Sequence, residues 1–203
     1  MEENPQVIPV PVEIIVPWKP REVWIALAVM LFLSLGFALL VMFFNNSEIV
    51  VNLGSFLVEL FYLVPVLVIL YWKKTTWDTF GLRKFHGGFI QVGCGWLLGV
   101  YLVIFLHNSV LAVLNLDTQS LEILRLFSQM ESPYWLLLTG IVVAPFVEEL
   151  FFRGFVYAGL RQQWGWRKAG WVSSLVFAIF HLSPVALVPT FLLGYVFASL
   201  YEQ

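Results

Sequence analysis

Charge is what this chain has least of. Of its 203 residues only 12% are Asp, Glu, Lys or Arg, while 60% are hydrophobic. A soluble domain is about 25% charged and about 45–50% apolar, so a water-soluble globule is excluded and an integral membrane protein is expected. Cysteine is nearly missing as well. Cys94 stands alone, which excludes an intramolecular disulfide and any zinc site built from cysteines. No basic cluster is present, so nucleic acid is not an expected partner, and the net charge of −2 specifies none. No internal repeat is visible, which argues against an inverted-repeat transporter. The opening MEENPQVIPVPVEIIVPWKP lacks the basic start of a signal peptide. Residues 1–20 read as a cytoplasmic extended tail, and 21–203 as a single transmembrane domain.

What is present is apolar sequence in separate runs. A helix needs about 20 such residues to cross the hydrocarbon core. Runs of that order lie at 22–44, 49–72, 89–114, 133–160 and 167–183, and a sixth begins near Pro189. The expected fold class is therefore all-α, a polytopic transmembrane helix bundle with about six spans. Positive charges occupy alternate connections: Lys19 and Arg21, then Lys73, Lys74, Arg83 and Lys84, then Arg161, Arg167 and Lys168. The intervening connections hold NNSE at 45–48, a segment at 115–132 with Arg125 alone among acids, and SPVALVP at 183–189. By the positive-inside rule this predicts a multi-pass protein of a cell membrane with its N-terminus in the cytoplasm. Apolar residues recur in a roughly helical pattern over LDTQSLEILRLFSQMES, 116–132. That stretch reads either as an amphipathic helix on the far membrane surface or as a partly structured connection.

Within the run PYWLLLTGIVVAPFVEELFFRGFVYAGL stand Glu148, Glu149 and Arg153. A charge at the bilayer centre costs between about 2.5 and 17 kcal/mol, so these side chains must face protein or trapped water, and their default reading is functional. Glu149 and Arg153 are four apart, in the favourable order for an ion pair. Glu148 points about 100° away and is free to face a cavity. Arg153 then neutralises and orients Glu149, while Glu148 offers a carboxylate for acid–base work. Pro145 cannot donate to the carbonyl of Ile141, so a kink is expected just before the pair.

Helical rise converts position into depth. At 1.5 Å per residue, Glu148 lies about 18 Å from the cytoplasmic end of its span, and His181 about 20 Å along the next. Glu59 in the second span matches at about 20 Å. It is a candidate third partner, the alternative being a protonated carboxyl bonded through Tyr62 or Asn52. His107, about 27 Å in, lies near the far surface, and His86 falls in a cytoplasmic connection. Phe177 and His181 share a helix face, with Ser174 a turn further back. An imidazole near a carboxylate can hold a water, act as a base or bind a metal. Taken singly, each feature has a structural reading in hydrogen bonding or helix packing.

Glu148-Glu149-x-x-x-Arg153, followed by Phe177-x-x-x-His181 on the next helix, resembles the CAAX-protease and bacteriocin-processing family of intramembrane proteases, also called the Abi family. The resemblance covers about 133–203, a protease-like core. It implies an all-helical membrane endopeptidase that hydrolyses a peptide bond of a membrane-associated protein or peptide. On that carry-over the catalytic residues are Glu148, Glu149, Arg153 and His181, with Phe177 supporting. Glu148 activates the attacking water, His181 assists or binds a metal, and Glu149 with Arg153 supports the site. Glu59 is added from its depth. A divalent metal such as zinc is the one cofactor in view, with Glu148 and His181 as ligands, but a catalytic zinc wants about three protein ligands. Family members usually continue into another helix bearing a further histidine, whereas this sequence stops at Tyr201-Glu202-Gln203. The expectation is a sequence that is incomplete at its C-terminus relative to the family, or else a degenerate member. The expected partners are the lipid bilayer and a protein or peptide substrate. Two other readings stand beside proteolysis. One is a non-catalytic membrane scaffold or bacteriocin-immunity-type protein that keeps the polar cluster for helix packing. The other is an ion or proton relay through Glu59, Glu148 and His181, for which polar residues along a full path are lacking.

Overall fold

The computed structural model describes residues 15–44, 47–82 and 87–202; residues 1–14 of the tail and the segment with Arg83, Lys84 and His86 lie outside them. Every regular element among the described residues is helical. The first, α1 (Pro20–Phe43), starts where local chemistry says it should. Pro20 occupies a first-turn position that needs no N–H, and the Lys19 N–H donates to Glu22 Oε2 at 2.7 Å. Helix α2 (Glu48–Lys73) returns and ends on Lys74 in the left-handed region, φ 50°. A 3-10 turn, Trp77–Phe80, leads towards α3 (Gly88–Val113). The short α4 (Gln119–Ser128) is capped by the Thr118 hydroxyl, which accepts from the Leu121 N–H. It is amphipathic with no buried residue, which selects the surface-helix reading of 116–132.

The fourth and fifth expected spans form one almost unbroken helical stretch, Tyr134–Phe180, interrupted at Gly165. We call its limbs α5 (134–164) and α6 (166–180). Gly165 has φ 74° and ψ 162°, a conformation essentially reserved for glycine, and it folds α6 back along α5. Ring contacts record the antiparallel return: Phe152 meets Phe177 and Phe180 at 4.9 and 5.8 Å between centroids. The last helix, α7 (Leu187–Tyr201), packs along α6. Among the described residues four helical stretches are long and apolar enough to cross a membrane, Tyr134–Phe180 being one, while α7 with 15 residues is shorter than a full span. The protein is a multi-pass, all-α membrane bundle.

The expected kink at Pro145 takes a different form. Two stretches of π-helix, Thr139–Val143 and Glu149–Tyr157, flank a short α-helical segment at Ala144–Glu148. The backbone remains helical throughout, with Ala144 at φ −57°, ψ −52°. Widening the turn to i→i+5 bonds takes up the missing proline donor without breaking the helix.

Residues 147–160 of α5 run through the centre of the bundle, with all but Glu148 and Glu149 buried. Around them pack Trp18, Val23 and Met30, Tyr62 and Val66, Phe80 and Phe177. The end of the expected free tail belongs to this core. Trp18 is 2% exposed, stacks on Phe80 and donates its indole N–H to the Phe155 carbonyl at 2.9 Å. Helix α3 is peripheral and meets α7 through Val100, Ile104 and Val196. Large apolar side chains such as Phe32 and Leu98 cover the outside of the bundle, as a lipid-facing surface requires.

Candidate active site

The hairpin at Gly165 decides which polar residues meet. Glu148 and His181 stand nearly equidistant from that turn in sequence, so antiparallel packing of α5 and α6 brings them to one level. Both line a single cavity of about 570 Å³, together with Glu59, Tyr62 and Ser34. Depth matching in the sequence had joined the same three titratable residues. His107 and the described stretch of α3 contribute nothing to the wall.

His181 is held by its own helix end. It caps α6, its Nδ1 lies 2.9 Å from the Phe177 carbonyl, and its ring packs edge-on against Phe177 at 4.7 Å. A carbonyl can only accept, so Nδ1 carries the proton of that bond. In the neutral ring Nε2 is then left as a lone-pair acceptor. Leu182 follows at φ 50° and turns the backbone away from the helix axis. Phe177 thus supports His181 twice, through its carbonyl and its ring.

Glu59 reaches the cavity from α2, and its Oε2 is buried with no hydrogen-bond partner among the described residues. Asn52 Oδ1 is likewise buried with no hydrogen-bond partner among the described residues.

Glu149 and Arg153 form the expected ion pair at 3.0 Å, but on another face of α5. Neither lines the cavity. Arg153 is 2% exposed and points between α6 and α7. One terminal nitrogen donates to the Gly194 carbonyl at 3.3 Å, and the guanidinium lies 4.5 Å from the Phe177 ring centroid and 5.2 Å from that of Phe197. Gly194 lets α7 pack closely on α6, because a Cβ there would press on Ser174 and Phe177 at 3.1–3.2 Å. Ser174 turns its hydroxyl to the Gly170 carbonyl at 2.6 Å and takes no part in the cavity. The motif therefore serves two places: Glu148 and His181 face the chamber, while Glu149, Arg153 and the ring of Phe177 bind helices together.

Sequence reasoning missed Ser34 and Gly194. Ser34 is a lone hydroxyl in an apolar helix, and Gly194 a lone small residue in another. Either oddity could have been noticed, but neither names its partner. Among the described residues no three His, Cys, Asp or Glu side chains are grouped so as to hold a metal ion. Among the described residues the donors therefore do not make up the set of about three ligands that a catalytic zinc takes.

The fold and the cavity define a class: a helical membrane protein with two carboxyl groups and an imidazole converging within the bilayer. Residues 130–203 match the family model described as type II CAAX prenyl endopeptidase, Rce1-like. That match covers both motifs, and the recognition read from Glu148, Glu149, Arg153, Phe177 and His181 holds over this segment. No curated protein and no solved structure gives a significant match.

Proposed function

We propose that the protein is an intramembrane endopeptidase acting on a membrane-associated polypeptide, with the chamber of Glu148, His181 and Glu59 as its catalytic centre. The observation that carries this reading is one shared cavity for Glu148 and His181, within a segment that matches an endopeptidase family. The Glu148 carboxylate takes a proton from a water molecule as its oxygen adds to the scissile carbonyl carbon. The tetrahedral adduct then collapses, the carbon–nitrogen bond breaks, and the departing nitrogen receives the proton. His181, with Nδ1 held by the Phe177 carbonyl, offers Nε2 to the water or to the adduct. Glu59 lies on the same wall and can exchange a proton with this pair. Glu149 and Arg153 position the site by fixing α5 against α6 and α7.

The test is cleavage of membrane-anchored reporter polypeptides by the purified protein in lipid vesicles, with fragments identified by mass spectrometry. Glu148→Gln is expected to lower cleavage by about 10²–10⁴-fold, the usual share of a general base, while the protein stays folded. Equal cutting by wild type and variant would remove Glu148 from catalysis. A wild type as inert as the variant would favour the scaffold reading, which the helix-joining contacts of Arg153 support by themselves.

A further inference from the structure

Among the described residues the cavity's lining lies from the middle of the bundle to one end of it, and the charges say which end that is. Lys19, Arg21, Lys73, Lys74, Arg161 and Lys168 gather at the first end, which is tied together by the Lys73–Glu22 pair at 2.8 Å and the Gln162–Val16 bond at 3.0 Å. The other end holds Glu48, Asp117, Glu122 and Glu131, with Arg125 among them. It is joined by Glu48, which accepts from the Glu131 and Ser132 N–H groups at 2.8 and 2.9 Å, and by the Ser183 hydroxyl, which donates to Glu122 at 2.7 Å.

The cavity's lining runs from the acidic end to the middle of the bundle. On α1 it covers Ser34 to Met42; on α2 it runs from Glu48 to Tyr62; Glu148 and Phe152 line it from α5; and the rim is Leu126, Gln129 and Met130 beside α4. Towards the basic end the way is filled by rings. Tyr62 contacts Phe151 and Phe152, Phe151 contacts Phe155, Phe155 contacts Trp18, and Trp18 stacks on Phe80, at centroid distances of 4.8–5.8 Å. Phe155 and Phe80 are 1% and 2% exposed. Among the described residues these buried rings fill the space between the chamber and the basic end.

We propose that the chamber is served from the membrane face opposite the basic connections. By the positive-inside rule that is the non-cytoplasmic face. The substrate is accordingly a polypeptide whose scissile bond lies in the outer half of the bilayer, entering beneath α4. The apolar walls there, Phe37, Ala38, Val41, Val51 and Val58, receive the flanking side chains, and the polar groups lie deeper. The substrate assignment rests on the endopeptidase reading, but the sidedness of the chamber does not.

Sidedness is measured with single cysteines in a Cys94→Ser background, in intact right-side-out vesicles treated with a membrane-impermeant maleimide. Gln129→Cys, on the rim, and Val58→Cys, on the cavity wall, are expected to be modified without permeabilisation. Lys74→Cys is expected to react only after it. Protection of Gln129→Cys and Val58→Cys until permeabilisation overturns the proposal, as does reaction of Val58→Cys with the sidedness of Lys74→Cys. No turnover is needed, so failure here is distinguishable from failure of the Glu148→Gln test.

Discussion

Arg153 illustrates how a charged side chain is housed among the helices of a membrane bundle. A guanidinium in the bilayer has no water to solvate it, and here a carboxylate, a backbone carbonyl and two aromatic faces replace that water. Removing one partner of a fully buried pair costs about 3–5 kcal/mol; Glu149 is 43% exposed, so the loss on removing Arg153 is smaller, and it includes the emptied space between α6 and α7. Arg153→Ala should therefore lower the unfolding midpoint in detergent, and Arg153→Lys should recover only part of the loss, since an ammonium lacks the planar fork. Glu148→Gln, a near-isosteric change on the cavity wall, should leave the midpoint unmoved while abolishing cleavage. A fall in stability comparable to that of Arg153→Ala would instead assign Glu148 to packing. The Glu149–Arg153 pair was legible from its i, i+4 spacing. The Gly194 carbonyl was not, because a backbone atom 41 positions away leaves no mark on local sequence.

At the scale of elements, the α5–α6 hairpin carries the site, and its hinge is a single residue. A side chain at Gly165 meets no neighbour, so substitution there reports backbone strain alone. Gly165→Val should cost about 1–3 kcal/mol and loosen the alignment of Glu148 with His181, read as lower cleavage at unchanged expression. Wild-type stability and cleavage in that variant would mean that the turn does not set the register. The two apolar runs on either side of Gly165 were plain in the sequence, as were their opposite directions. The π-helical turns around Pro145 were not. Proline says that a hydrogen bond is missing, and neighbouring packing selects between a kink and a widened helix.

At the scale of the whole molecule, two differently charged ends frame a chamber that reaches only one of them. The acidic end holds α4 in place through Glu48 and through the Glu122–Ser183 bond. Glu48→Ala removes two hydrogen bonds to a charged group in a partly exposed setting, worth about 1 kcal/mol after solvent screening. Amide exchange at Glu131 and Ser132 should then quicken about fivefold, with little change in the core around Phe155. Unaltered exchange at those amides would show that α4 is held by other contacts.

The primary structure alone determined that this protein lives in a membrane, roughly where its helices run, and that Glu148, Glu149, Arg153 and His181 stand as polar exceptions in apolar sequence. The reason is that bilayer thickness imposes run lengths, and burying charge in hydrocarbon is so unfavourable that every exception is conspicuous. Only the tertiary structure decided which of those exceptions share the chamber, that Trp18 is buried against Phe80 and Phe155, and that Arg153 lies outside the chamber. Such outcomes depend on how helices rotate and approach one another. In lipid that is governed by close packing between distant surfaces rather than by a pattern any one helix displays.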